Sequence, residues 1–236
     1  MDEGIGQNLA AVHERIAAAA RRSGRDAAAI TLVAISKTFG PEKVRAAWDA
    51  GQRDFGENKV QEALQKITAT ADISGIRWHL VGHLQSNKAK KAAGSFTCIQ
   101  SIDSMELLRR LESAAAEQNA TPEVLVQADL AGEATKFGVS EADVESIVRA
   151  AAESKSLRLT GLMLVPPWNE DQERTRPWFV RLRELRDRLV AAGIPGSSLS
   201  HLSMGMSHDF EAAIEEGATI VRIGTAIFGK RTRTAT

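Results

Sequence analysis

Tyrosine is absent from this sequence, cysteine occurs once, and the charges cancel. Each shortage removes a class of function. With Cys98 alone no intramolecular disulfide forms, and its place in the apolar run FTCIQ suits a core position in a reducing compartment. The 30 basic side chains are balanced by 30 acidic ones, so no net field draws the chain to nucleic acid or to an anionic membrane. The first residues include Asp2 and Glu3 and hold no uninterrupted apolar segment. The expectation is therefore a cytoplasmic protein without secretory signal or membrane span. The G-x-G-x-x-G dinucleotide fingerprint is missing. No low-complexity linker interrupts the 236 residues, a length that buries a substantial core, so residues 1–236 read as one domain.

What is present is alternation. A helical segment from Asn8 to Arg22, with Leu9, Val12, Ile16 and Ala19 on one face, precedes the first strand. Strand-length apolar runs follow: ITLVAI, Arg53 to Asn58, IRWHLVGH, FTCIQSI, PEVLVQADL, LRLTGLMLV, LSHLSMG and TIVRIGTAIFG. Helical segments separate them, the longest with Trp178, Leu182, Leu185 and Leu189 spaced for one face. Its arginines Arg181, Arg183, Arg186 and Arg188 are interleaved with Glu184 and Asp187 and read as a solvated face, not a nucleic-acid surface. Eight strand and helix alternations predict a (β/α)8 TIM barrel; an open doubly wound sheet is the alternative that periodicity leaves standing.

In such a barrel the chemistry gathers at the carboxyl ends of the strands. The polar residues fall there: Lys37, Glu57, Asn58, His83, Ser101, Asp103, Ser203, Arg222, Gly224 and Thr225 are all expected around one mouth. Lys37 ends a strand apolar on both faces. Desolvation there favours the neutral amine, the form that attacks a carbonyl to give a Schiff base; the alternative is a lysine that snorkels to water. After the seventh strand, SMGMSHDF offers Gly205 for close backbone approach and Ser207 as a cap for the next helix. With Arg222, Gly224 and Thr225 on the eighth strand this resembles the phosphate sites that barrels build from their last two loops, although each glycine alone reads as a turn residue.

Two decoys are set aside. GTAIFGK nearly matches a Walker A loop, but Arg231 follows where Ser or Thr is required. His79 and His83 have a zinc-like spacing only on a helix; on a strand, without an adjacent carboxylate, they read as core or hydrogen-bonding histidines, and no metal site is expected.

A Schiff-base lysine, a phosphate cradle and an arginine together suggest pyridoxal 5′-phosphate. The segments LVAISKTF, FGENKVQEA, WHLVGHLQSNKAK, KFGV, GLM and HLSMGMSHDFEAAIEEGATIVRIGTAIFG resemble the YggS/PROSC family of pyridoxal-phosphate-binding homeostasis proteins across nearly the whole chain. The resemblance implies a barrel of the alanine racemase N-terminal domain type, the fold type III class of these cofactor proteins. It implies that Lys37 holds the cofactor as an internal aldimine and that Ser203, Gly224 and Thr225 hold the phosphate, helped by the helix after Ser207. Arg222 would sit against the pyridine nitrogen and Asn58 near the ring. A guanidinium stays protonated and donates, so it disfavours a protonated ring and weakens the cofactor as an electron sink. His208, where an acidic residue is usual, and Pro166-Pro167, where one proline is usual, depart from the family text at the rim.

The resemblance implies a non-catalytic carrier of pyridoxal phosphate and related B6 vitamers, delivering cofactor to apo-enzymes; a monomer is expected, because the racemase domain that makes the usual dimer contact is not expected here. The alternative is an amino-acid racemase. In alanine racemase the second base is a tyrosine of a C-terminal domain; this sequence has no tyrosine and no such domain is expected after the eighth strand, so His83 or His201 would have to substitute. A cofactor-free Schiff-base aldolase explains Lys37 but gives Arg222 and the phosphate cradle no shared role.

Overall fold

Strand alternation decides which side chains enter the barrel. In β1 (Thr31–Ile35) every residue after the first is buried. Val33 and Ile35 join an inner cluster with Cys98, Leu125, Met163 and Ile220, while Leu32 and Ala34 belong to the outer core beneath the helices. This is the pattern of a strand covered on both faces. The computed structural model describes residues 3–132 and 137–229. Asp2, Lys136 of KFGV, and Lys230 and Arg231 of the Walker-like run lie outside them.

The chain opens with α1 (Glu3–Arg22), which begins earlier than its sequence pattern suggested and buries Ile5, Leu9, Val12, Ile16, Ala19 and Ala20. Then come β1, α2 (Pro41–Asp49), β2 (Asp54–Glu57), α3 (Val60–Ala69), β3 (Arg77–Leu80), α4 (Ala89–Ala93), β4 (Cys98–Ile102), α5 (Met105–Glu117) and β5 (Glu123–Asp129). A two-residue strand, β6 (Val139–Ser140), leads into α6 (Glu141–Ala152), β7 (Arg158–Met163), α7 (Arg176–Ala191), β8 (His201–Met206), α8 (Phe210–Glu215), β9 (Ile220–Ile223) and α9 (Thr225–Phe228).

All pairings are parallel, in the order β4-β3-β2-β1-β9-β8-β7-β5, and a β4–β5 pairing closes the ring, so the fold is a (β/α)8 barrel and not an open sheet. Among the described residues the short β6 pairs only with β5. Closure puts every strand's carboxyl end at one mouth. Cys98 is fully buried in the interior, and burial pushes its thiol well above the ordinary range, which leaves it inert packing.

Two expectations are corrected. The last strand ends at Ile223, and TAIF is the helical turn α9, because Gly224 (φ −116°, ψ −72°) leaves the extended conformation. On α7 the fully buried aromatic is Phe179, which with Leu182, Leu185 and Leu189 forms the stripe; Trp178 lies at its edge beneath the Arg181 guanidinium, 5.1 Å from the ring centroid. The α7 arginines are dispersed into partly exposed ion pairs, in line with the expected solvated face: Arg181 and Arg188 pair with Glu141, Arg183 with Glu216 and Arg186 with Asp187.

β8 carries the irregularity that shapes the site. Between Ser203↔Ile220 and Met206↔Arg222 it spends one residue more than β9, a bulge centred on Gly205 at φ +91°. A Cβ there would lie 2.6 Å from Ala213 Cβ and 2.9 Å from Phe210 Cα. Gly205→Ala therefore combines left-handed backbone strain with overpacking and is expected to cost about 2–4 kcal/mol. Urea unfolding checks it: the midpoint should fall with the slope unchanged, and an unaltered midpoint would show that β8 relaxes freely.

Candidate functional site

Arg222 lies on the inner face of β9, 4% exposed, in the middle of the barrel. Its Nη1 donates to Ser203 Oγ at 2.6 Å and its Nη2 to the Leu164 carbonyl at 2.8 Å. Among the described residues no carboxylate pairs with it directly. Burial lowers its pKa to about 10, against the pull of the Asp209 charge. A guanidinium held this way still carries its charge at neutral pH, and it presents that charge to whatever acceptor enters the mouth.

From Arg222 a chain of hydrogen bonds crosses the interior. The Ser203 hydroxyl donates to Gln100 Oε1 at 2.6 Å, Gln100 Nε2 faces His79 Nδ1 at 3.1 Å, and His79 Nε2 faces Asp54 Oδ1 at 2.9 Å. With Gln100 donating, His79 carries its proton on Nε2, and every donor points from the guanidinium towards the carboxylate. Asp54 is bound from outside by Arg77 in a bidentate pair. Burial pushes the Asp54 carboxyl up, but His79 and Arg77 outweigh it and hold it below the usual range.

The phosphate-type corner lies next to Arg222. Ser207 does not cap α8, as its sequence position suggested; Asp209 precedes that helix, and its carboxylate accepts from the Met206 N–H at 2.7 Å instead. Ser207 Oγ turns to α9 and accepts from Gly224 N at 3.2 Å and Ala226 N at 3.5 Å. Thr225 is exposed beside them, and a side chain on Gly224 would press against the Ile35 carbonyl at 3.2 Å. Two backbone N–H groups, two hydroxyls and a nearby guanidinium make a donor set that suits a phosphate and a ring acceptor, so these residues fit the cofactor the sequence suggested.

Lys37 follows β1, between β2 and β9, and is half-buried in the turn Ser36 to Phe39. Asn58 follows β2. A Cβ on Gly82 would collide with the Asn58 backbone, so the two loops are in contact. Lys37, Asn58, Arg222, Gly224 and Thr225 thus stand at the ends of adjoining strands, with Ser203 and Ser207 on the neighbouring β8 and the loop after it. Ser203 is 0% exposed with its hydroxyl engaged by Arg222 and Gln100.

Of the remaining residues expected around the mouth, His83, Ser101 and Asp103 lie at the carboxyl ends of β3 and β4 and are bound to protein partners, while Glu57 faces outward. Glu57 shares the outward face of β2 with Phe55 and is buried against Lys66 of α3, not at the mouth. Ser101 is tied to the Gly82 carbonyl at 2.8 Å. His83 contacts Asp103 through Nδ1 at 2.8 Å and stacks on Phe137 with centroids 3.7 Å apart. His201 begins β8, at the end of the barrel opposite the mouth, facing Thr219 at 3.2 Å. At the rim, His208 stacks near the exposed Trp168 and contacts the Glu170 carbonyl at 2.8 Å. Sequence reading missed Gln100, Asp54 and Lys66. Gln100 was a polar residue inside the run CIQSI, and Lys66 stands four residues after Glu62, a pairing signal for a helix.

Residues 7–232 match the family model described as alanine racemase, N-terminal domain, which fixes the class of the barrel. The alanine racemase of Clostridium difficile 630 shares the fold, with a TM-score of 0.73 at 12% identity over 99% of this chain and 57% of that one. Much nearer is the pyridoxal phosphate homeostasis protein of Aquifex aeolicus, 43% identical over 225 residues, 95% of this chain and 97% of that one. The protein of the same name from Escherichia coli K12 is 40% identical over 229 residues, 96% and 97% of the two chains. The structure of PipY from Synechococcus elongatus, described with PLP bound, superposes with a TM-score of 0.84 at 36% identity, covering 95% of this chain and all (100%) of that one. The chain belongs to the pyridoxal phosphate homeostasis protein family.

The interior chain makes a pH-dependent contribution. A carboxyl depressed in the folded state stabilises above its unfolded pKa of about 3.9, and that stability is lost as pH falls through the folded value. Asp54→Asn is expected to lower stability by about 2 kcal/mol at pH 7, and the gap is expected to narrow progressively as pH falls below about 4 towards the folded value. Denaturant unfolding at both pH values checks this; a gap that stays constant with pH would refute the assignment.

Proposed function

We propose that the protein binds pyridoxal 5′-phosphate and serves intracellular homeostasis of that cofactor, holding it on Lys37 without a dedicated turnover. The observation that carries this reading is the near-complete coverage of homeostasis proteins by this chain, together with the PLP-bound PipY relative at 36% identity. When bound, the cofactor supplies an aldehyde that condenses reversibly with a lysine amine and a ring that withdraws electrons.

The chain's own residues account for retention without catalysis. Lys37 Nζ holds the aldehyde carbon. Ser207, Thr225 and the Gly224 and Ala226 N–H groups hold the phosphate; Ser203 contributes through Arg222, because its hydroxyl is already shared between Arg222 and Gln100. Arg222 donates to the ring nitrogen and keeps a proton off it, which limits carbanion stabilisation. Asn58 lines the ring side of the site. Delivery to apo-enzymes, a monomeric state and a cytoplasmic location belong to the same proposal.

The racemase alternative needs a second proton-transfer group across from Lys37. There is no tyrosine to serve, and His201 stands at the wrong end of the barrel, so the burden falls on His83, which is engaged by Asp103 and Phe137. That observation favours the carrier.

Titration with pyridoxal 5′-phosphate should raise a visible absorbance band that borohydride fixes onto the Lys37 peptide, with no racemisation of amino acids; Lys37→Ala should lose the fixed adduct entirely. A reducible adduct persisting in the variant, or robust racemisation by wild type, would overturn the proposal. Thr225→Val should weaken pyridoxal 5′-phosphate about tenfold while leaving pyridoxal nearly unchanged. Equal weakening of both ligands would remove Thr225 from the phosphate site.

A further inference from the structure

On the outer side of the sheet, behind the turn that carries Lys37, lies a cluster of charges that cofactor binding itself does not use. Lys66 of α3 is 4% exposed and Glu57 of β2 is 0% exposed. Lys66 Nζ donates to Glu57 Oε1 at 2.6 Å, to Glu62 Oε1 at 3.0 Å and to the Ser36 carbonyl at 2.7 Å, which uses all three of its protons. The Ser36 hydroxyl donates to Glu57 Oε1 at 2.5 Å, and the Thr38 N–H donates to Glu62 Oε1 at 2.5 Å. The groups held on the turn belong to the residues immediately before and after Lys37.

The turn needs holding. It closes with Phe39 N–H donating to the Ser36 carbonyl at 3.1 Å, and Thr38 inside it has φ +71°. A β-branched residue is disfavoured in the left-handed region and stays there only when its surroundings impose it. Stability does not explain the cluster. A buried ion pair can usually be replaced by apolar residues of similar volume without loss, and here Glu57 Oε2 is buried with no hydrogen-bond partner among the described residues, while Oε1 takes both donors. An ion pair that only fastened α3 to the sheet would have no need to reach the Ser36 carbonyl, the Ser36 hydroxyl and the Thr38 N–H.

We infer that Glu57, Glu62 and Lys66 are positioning residues for covalent capture, a clamp that sets the Ser36–Phe39 turn and so presents Lys37 to the aldehyde. The inference rests on the proposed role of Lys37. Capture joins Lys37 Nζ to the aldehyde carbon, and the aldehyde oxygen leaves as water with two protons from the amine; no oxidant or reductant is involved. The clamp acts on the geometry of that encounter. It does not touch the phosphate corner at β8 and β9.

Two ligands separate these effects: pyridoxal 5′-phosphate, which can be captured, and pyridoxamine 5′-phosphate, which has no aldehyde. Glu62→Ala, on a partly exposed residue, removes the acceptor of the Thr38 N–H; Glu62→Gln keeps one. Glu57→Gln combined with Lys66→Met removes both buried charges together. The expected result is that Glu62→Ala slows the absorbance change of capture about tenfold and the double variant by ten- to a hundredfold, whereas Glu62→Gln stays within about twofold of wild type. Dissociation constants for pyridoxamine 5′-phosphate, read by tryptophan fluorescence, should move less than about twofold in all three. Capture at the wild-type rate by folded Glu62→Ala and double variants would overturn the clamp, as would equal loss of both ligands. If wild type itself forms no borohydride-fixed adduct on Lys37, the functional proposal fails first and the clamp with it; that arm is read on wild type alone.

Discussion

A full positive charge in the middle of a closed barrel is the constraint on which the remainder depends. Arg222 is buried without a direct carboxylate partner among the described residues, and moving a charge from water into such a site costs several kcal/mol unless hydrogen bonds replace its solvation. The interior supplies them in a line, Ser203, Gln100, His79 and Asp54, ending at a carboxylate that Arg77 closes from outside. Inner-face positions of β2, β3, β4 and β8 that would otherwise hold aliphatic packing are given to this line. The inner apolar cluster of Val33, Ile35, Cys98, Leu125, Met163 and Ile220 is correspondingly small. The barrel has exchanged part of its interior packing for one cation aimed at its mouth.

The same division governs the rest of the site. On one side of β9 the bulge at Gly205 brings the Ser207 loop against Gly224 and Ala226, so that hydroxyl and backbone donors gather in one corner. On the other side, β1 ends in a turn whose backbone is held from behind by Lys66 and its two glutamates. Neighbouring strands thus deliver an amine, a guanidinium and a corner of hydroxyl and backbone donors to adjoining positions. Helix α1 braces the arrangement: Asn8 Nδ2 donates to the Ile227 carbonyl at 2.9 Å, which fixes α9 from outside.

Much of this was legible in the sequence. The eight strands are short apolar runs with turn residues between them, and covered parallel strands announce themselves that way. Lys37, Arg222, Gly224 and Thr225 stood out as polar residues at strand ends. Other features were hidden for definite reasons. The phase of β2 could have shown that Glu57 shares a face with Phe55, but which face looks inward is known only once the sheet has closed. The interior line joins residues up to 103 positions apart, and it exists only through the registers of several strands. Ser207 had the composition of a helix cap, yet the chain gives it to α9, because Asp209 and not Ser207 immediately precedes Phe210. The helical turn TAIF continued an apolar run and carried no signal except Gly224.

The most direct test of the site is a crystal structure of the protein grown with pyridoxal 5′-phosphate. The account expects density continuous from Lys37 Nζ into the ligand, the phosphate among Ser207, Gly224, Thr225 and the Ala226 N–H, and the ring nitrogen within hydrogen-bond distance of Arg222. Ligand joined to a different lysine, or a phosphate lying away from the β8 and β9 loops with Arg222 untouched, would contradict it.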